Sequence, residues 1–229
     1  MNLKEQAAAK ALQYVKSGMV VGLGTGSTTR FFVELLAAAL QKGELKNIIG
    51  IPTSEQTFQL ASQLAIPLST LDEHDILDLA VDGADEVDAD LNLIKGRGRA
   101  LFREKIIEIH AKKFVVIVDE LKLVARLGMR GFLPVEIVPF AVRAQVGWLQ
   151  SLNCRAELWL EENGKPAVTD NGNYLVKCFF EGGIDYPLDL GIKLKNRTGV
   201  VEHGLFLKMA SIAVVAGKDG LRVIARGLK

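Results

Sequence analysis

The run Ile76-Leu77-Asp78-Leu79-Ala80-Val81-Asp82-Gly83-Ala84-Asp85-Glu86 decides how this chain folds. Its apolar members read most simply as a buried strand, so Asp82 and Asp85 stand where that strand leaves its sheet. In open α/β sheets the crevice at the carboxyl ends of the strands is where ligands bind. Lys95-Gly96-Arg97-Gly98 and Arg103-Glu104-Lys105 follow within two dozen residues. Carboxylates, flexible backbone and a lysine converging there point to acid/base chemistry on a small anionic molecule.

Working outward from that run, strands and helices alternate. Ala7 to Val15 is rich in helix formers, with Gly18 as a stop. Met19 to Leu23 reads as a strand and Gly24-Thr25-Gly26-Ser27-Thr28 as a loop. Phe31, Phe32, Leu35, Leu36 and Leu40 then mark one helical face, ending before Gly43. Ile48 to Ile51 is a second strand, and Ser54 can cap a helix running through Leu64. Beyond the opening run, a helix is expected from about Ala100 to His110 and a strand from Phe114 to Val118, ending at Asp119. Continuous apolar strands alternating with helices mean a parallel, doubly wound sheet.

Around Gly131 to Pro134 the pattern changes. Val135 to Val138, Arg155 to Leu160, Tyr174 to Phe179 and Val200 to His203 read as strands. Phe140 to Leu152 and Leu188 to Lys195 read as helices, and Asn171-Gly172 as a turn. The order is βαββαβ, the split-βαβ arrangement of a ferredoxin-like lobe. Ile212 to Ala216 and Leu221 to Ile224 return to the first sheet. The fold class is therefore α/β: a doubly wound, mostly parallel Rossmann-like sheet over residues 1–130 plus 205–229, and a smaller α+β ferredoxin-like lobe over 131–204.

Composition narrows the function. The chain has 229 residues, 49% of them hydrophobic, and a formal net charge of +1 with Lys and Arg dispersed. That excludes a nucleic-acid or membrane-surface footprint but not a small anionic ligand. No apolar run reaches membrane-spanning length. Acid and amide groups in Met1-Asn2-Leu3-Lys4-Glu5-Gln6 stand where a secretory signal has its apolar core. Cys154 and Cys178 have no CxxC spacing and read as two reduced thiols of a cytosolic protein.

The loop Gly24 to Thr28 suits an oxyanion, because glycine permits close backbone approach while helix N-terminal amides and hydroxyls donate. Gly22-x-Gly24-x-Gly26 lacks dinucleotide-fingerprint spacing, and no lysine completes a P-loop. The acids Asp82, Asp85, Glu86, Asp88 and Asp90 lack the spacing of a calcium loop, and His74, His110 and His203 lack that of a zinc site. Asp88 and Asp90 read as a solvated loop, and no metal is expected. Glu104 alone would be an ordinary carboxylate complementing a helix N-terminus. Its position after a glycine-rich loop that itself follows two strand-end aspartates gives it further interest.

Together these motifs resemble ribose-5-phosphate isomerase, type A. The resemblance runs nearly end to end and includes Leu133-Pro134-Val135-Glu136, Thr169-Asp170-Asn171-Gly172-Asn173 and Gly199-Val200-Val201-Glu202 as well as the segments above. It implies interconversion of ribose 5-phosphate and ribulose 5-phosphate without cofactor or metal, by a homodimer, in the pentose phosphate pathway and the cytoplasm. By motif position it implies Glu104 as the base, with Asp82 and Lys95 also catalytic. Thr25, Gly26, Ser27 and Thr28 form the sugar-phosphate loop. Asp82, Gly83, Ala84, Asp85, Lys95, Gly96, Arg97 and Gly98, together with Lys122 and Lys4, are implied to bind substrate. Two departures stand out: Arg97 and Arg99 interrupt a run that is usually glycine, and Leu121 replaces a serine. Arg97, nearer Lys95, is expected to matter more than Arg99.

The chemistry is that of an aldose and a ketose exchanging a proton between neighbouring carbons. A carboxylate takes the proton α to the carbonyl and returns it next door. Lys95 and amides near Gly96 and Gly98 would stabilise the enediolate, and Asp82 would move hydroxyl protons during ring opening. Two other classes compete. A sugar-phosphate-sensing domain of a repressor needs a DNA-binding module, for which too few residues precede Met19. A dinucleotide-dependent dehydrogenase needs an acid at the end of the second strand, where Pro52-Thr53-Ser54 stands.

Overall fold

A computed structural model describes residues 2–227. In chain order its elements begin with α1 (Leu3–Leu12), β1 (Val20–Leu23), α2 (Ser27–Gln41), β2 (Ile49–Pro52), α3 (Glu55–Gln63) and β3 (Leu79–Asp82). Then come β4 (Glu86–Val87), β5 (Leu93–Ile94), α4 (Leu101–Ile109), β6 (Phe114–Asp119) and a 3₁₀ turn at Glu120–Lys122. β7 (Phe132–Ile137), α5 (Val142–Gln150), β8 (Arg155–Leu158), β9 (Tyr174–Phe179), α6 (Pro187–Lys195) and β10 (Val200–His203) follow. β11 (Leu205–Phe206), β12 (Ile212–Gly217) and β13 (Gly220–Ala225) complete the series.

Two compact units result. The first comprises Met1–Ala84, Arg103–Lys122 and Lys208–Lys229, and the second Asp85–Phe102 and Leu123–Leu207. The first is built on a six-stranded sheet of order β13-β12-β6-β3-β1-β2. β2, β1, β3, β6 and β12 run parallel, and β13 closes the edge as an antiparallel hairpin. Counting only parallel strands, the order is 2-1-3-4-5, the doubly wound pattern whose switch point lies between β1 and β3. Val21, Leu23, Leu79, Val81, Val115, Ile117 and Val214 on one face pack with α1 and α2 through Ala7, Ala11, Phe32 and Leu36. On the other face Ile107 of α4 meets Ile51 and Leu77. β3, β6 and β12 carry near-continuous apolar runs because helices cover both faces.

In the second unit β10-β7-β9-β8 form a wholly antiparallel sheet. Numbered within the lobe, that order is 4-1-3-2, which the βαββαβ series produces when each helix carries the chain back across the sheet. Leu133, Val135, Ile137, Val176 and Cys178 face Leu149 of α5 and Leu190 and Leu194 of α6. A separate three-stranded sheet, β11-β5-β4, lies in the same unit. Through it the unit takes in Asp85–Phe102, and it also includes 123–130; both segments belong to the larger domain in the sequence reading. Strands of two residues are too short for a periodicity to register.

Other boundaries shift for local reasons. α1 starts at Leu3 because the Asn2 side chain accepts from Glu5 N–H as a cap. Ile76 is exposed and lies before β3. α5 begins only at Val142, because Ala141 has a left-handed backbone, φ 54°. β7 starts at Phe132 and runs through Pro134, whose carbonyl accepts from Gly204 N–H just past the end of β10.

Candidate active site

In the first unit, the chain leaves β1 toward β2 and returns to lay β3 on the other side of β1. The loops after β1 and β3 therefore flank the switch point. Leu23 pairs with Val81, which puts Gly24 abreast of Asp82. A Cβ on Gly24 would overlap the Asp82 carboxyl, so only glycine fits there. Asp82 is 1% exposed. Its Oδ1 accepts from Gly83 N–H (2.6 Å), Thr25 N–H (3.1 Å) and the Thr29 hydroxyl (3.1 Å). A buried carboxylate needs such donors.

Gly26 is the N-cap of α2 with φ 123°, a conformation open to glycine, and no side chain caps the first turn. The amides at that helix end point out with the positive end of the helix dipole behind them. Ser27 is exposed, Thr28 half-buried, and Lys4 Nζ donates to Ser27 Oγ at 2.8 Å. A cation, a hydroxyl and a helix N-terminus thus share one place, as an anion requires. Thr25, by contrast, turns inward. Its hydroxyl lies 2.7 Å from Thr53 Oγ1 and 2.8 Å from Ser54 Oγ, while Thr57 Oγ1 donates to Gly24 C=O at 2.9 Å. This buried hydroxyl cluster shapes the loop. The sequence reading missed Thr29, Thr53 and Thr57 as participants; the available signal was that two hydroxyl-rich loops each follow neighbouring parallel strands.

Glu104 lies in the first turn of α4 and is 3% exposed. Glu108, one turn later and also buried, was not singled out by the sequence. Arg103 pairs with Glu55 at 2.7 Å. Lys122 ends the 3₁₀ turn after β6, the strand next to β3, and is half-buried.

In the second unit, Asp85 N–H donates to Ile94 C=O at 2.8 Å, and its Oδ2 accepts from Arg97 N–H at 2.9 Å. Lys95, 2% exposed, is held by its N–H on Gly204 C=O (2.9 Å), and its ammonium lies 5.4 Å from the Phe206 ring centroid. Gly96 is buried and Gly98 exposed. Glu86 is fully buried and accepts from Arg97 Nη2 (2.8 Å), Gly128 N–H (2.6 Å) and Arg130 N–H (3.1 Å). The Arg97 guanidinium is thus directed at Glu86. Asp88 closes its own loop on Asp90 N–H and Asn92 N–H. Among the described residues no three His, Cys, Asp or Glu groups are arranged to hold a metal. No helix among them is long and apolar enough to cross a membrane.

A family model described as ribose 5-phosphate isomerase A (phosphoriboisomerase A) matches residues 49–220. The chain belongs to the ribose-5-phosphate isomerase A family. It is 48% identical to ribose-5-phosphate isomerase A of Desulfatibacillum aliphaticivorans, over 96% of this chain and 95% of that protein. It is equally 48% identical to that of Pyrococcus abyssi, over 99% of this chain and all of the relative. A solved D-ribose-5-phosphate isomerase in complex with phospho-erythronic acid superposes with TM-score 0.96 at 46% identity, covering 99% and 100% of the two chains. Ribose 5-phosphate isomerase from Plasmodium falciparum gives 0.94 at 40% identity, covering 97% of each. The chain is accordingly an aldose-ketose isomerase that interconverts ribose 5-phosphate and ribulose 5-phosphate. Nothing in these matches supports a sugar-phosphate-sensing domain.

Proposed function

We propose that Glu104 is the base that moves a proton between C2 and C1 of the sugar phosphate through an enediolate. One observation carries this reading: a carboxylate buried to 3% exposure in the first turn of α4, within Arg103-Glu104-Lys105 and directly after the Lys95 loop. A carboxylate shielded from water accepts and returns a proton without losing it to solvent, and such acid/base steps contribute roughly 10²–10⁴-fold in rate. Lys95 and the amides near Gly96 and Gly98 stabilise the oxyanion of the enediolate, whose charge appears only as the proton leaves. Asp82 moves protons among the sugar hydroxyls and assists ring opening. The three donors on its Oδ1 support this role by fixing its orientation.

The phosphate is assigned to the α2 N-terminus, with Ser27, Thr28 and Lys4 as donors and Thr25 and Gly26 shaping the loop. Gly83, Ala84, Asp85, Gly96, Arg97, Gly98 and Lys122 complete the substrate-binding set, Arg97 acting through the loop it carries. The protein works as a homodimer in the cytoplasm. Its metabolic reaction and two free thiols support that compartment.

Glu104→Gln tests the central assignment, because it removes the proton acceptor and keeps the shape. Turnover should fall by at least about a hundredfold while KM stays within about threefold. Steady-state kinetics check this, and retention of more than a few per cent of kcat would reassign the base.

A further inference from the structure

The segment from Lys95 to Ala100 joins β5 to α4 and carries an arginine at two of its six positions. A glycine-only loop is a poor positioning device, since glycine has the most conformational freedom to lose when the loop orders. Here both arginines fasten the loop within the second unit, Arg97 to β4 and to Phe132 of β7, and Arg99 to the residues just after β8. Arg97 Nη2 donates to Glu86 at 2.8 Å and to Phe132 C=O at 3.3 Å, and the guanidinium lies 5.2 Å from the Phe132 ring centroid. Glu86 is a fixed post, because Gly128 N–H and Arg130 N–H already hold its carboxylate.

Arg99 makes a two-pronged pair with Glu161, with Nη2 to Oε2 at 3.0 Å, and stacks 5.2 Å from the Trp159 ring. The guanidinium holds the Glu161 carboxyl below its usual range. Trp159 in turn meets Phe132 edge-on at 5.1 Å, so both arginines seat on one aromatic cluster. Arg99 has φ +68°, a left-handed backbone that a non-glycine residue keeps only when its surroundings impose it. The turn closed by the Arg99 N–H on Gly96 C=O (2.9 Å), the Glu161 pair and the Trp159 ring together hold it there.

We propose that Arg97 and Arg99 are positioning residues of the isomerase reaction, clamping the Lys95–Ala100 segment within its own unit so that Lys95 and the loop amides stand in working geometry before substrate arrives. The proposal rests on the reading of Lys95 as substrate-facing. Arg97 is the inner anchor, with 22% of its side chain exposed; Arg99 is the outer latch, at 35%. The clamp lowers the ordering cost of binding, so its loss raises KM before it lowers kcat.

The test combines kinetics with amide hydrogen exchange on Arg97→Gly, Arg99→Gly, Glu161→Gln and Lys95→Gln. Arg99→Gly relieves the backbone strain while removing the latch. Glu161→Gln removes the latch from the far side, at a surface where folding is not at risk. Exchange of the 95–101 amides should rise about tenfold in Arg97→Gly and several-fold in the other two clamp variants. KM should rise several-fold in the same order, with kcat within about twofold and saturating ribose 5-phosphate restoring protection. Unchanged loop exchange, or faster exchange with unchanged KM, overturns the clamp. If Lys95→Gln retains wild-type kcat and KM, the reading of Lys95 fails instead, and the clamp as a device of this reaction goes with it.

Discussion

Asp82 gathers three donors on one carboxylate oxygen, one from the residue after its own strand, one from the loop after β1 and one from the first turn of α2. The Thr29 hydroxyl is the one such donor that a substitution removes without disturbing the backbone. Thr29 is fully buried one residue past the exposed and half-buried hydroxyls of Ser27 and Thr28. Thr29→Val keeps the side-chain shape but takes away a hydrogen bond to a carboxylate, worth about 1.5–3 kcal/mol when one partner is charged. It should lower kcat/KM roughly tenfold with a loss of folding stability of about 1–2 kcal/mol, and Thr29→Ser should recover most of both. Kinetics and denaturant melts check this; full activity in Thr29→Val would mean that Asp82 needs no orienting hydroxyl. Asp82 was legible as a polar group ending an apolar strand and Ser27 as a hydroxyl opening a helix, whereas Glu104 and Lys95 drew their interest from the family resemblance. The sequence hid Thr29 and Glu108, because which face of a helix is buried near its end depends on the strands beneath it.

The same limit operates on elements. The five parallel strands and the βαββαβ lobe were legible as apolar runs and turn residues, and Ser54 caps α3 by accepting from Thr57 N–H as expected. β4, β5 and β11 were not, for two residues cannot display a period, and Gly131 to Pro134 disguised the start of β7. The most testable element is the antiparallel pair β7–β10, where Glu136 stands opposite Glu202. Glu136 is fully buried and its Oε1 accepts from Thr169 Oγ1 (3.0 Å) and Asn173 Nδ2 (2.9 Å). Burial pushes its carboxyl above the usual carboxylate range against those hydrogen bonds, and the Glu202 charge adds to the shift. Lys195 bonds Glu202 at 2.6 Å. A carboxyl with a raised folded-state pKa supports folding fully below its unfolded pKa, and that support is lost as pH rises through the folded value. Wild-type stability should therefore fall, relative to Glu136→Gln, as pH climbs out of the ordinary carboxylate range. Melting temperatures of both proteins across weakly acidic to neutral pH measure the difference; parallel curves would show that Glu136 is ionised throughout.

At the scale of the whole molecule, the question is how a chain with 27 acidic and 28 basic side chains carries out a proton transfer, and whether a cation assists. A divalent ion takes oxygen ligands that converge and have lone pairs to give. Three acids of the central stretch already hold donors of the protein itself. Asp82 Oδ1 is filled by three donors, and Glu86 by an arginine and two amides. Asp88 is spent on its own turn. A metal seated on those same oxygens would displace these hydrogen bonds, and each buried donor left unpaired costs about 1–3 kcal/mol. The oxyanion can instead be met by Lys95, buried and within reach of its own unit's backbone and ring contacts, and by helix-end and loop amides. Exhaustive treatment with EDTA followed by metal-free buffer should therefore leave both kcat and the melting temperature unchanged, within the error of a coupled assay with ribose 5-phosphate. Loss of turnover on chelation, restored by one divalent ion, would show that the charge on the enediolate is met by a metal and that the roles given to Lys95 and the loop amides are wrong.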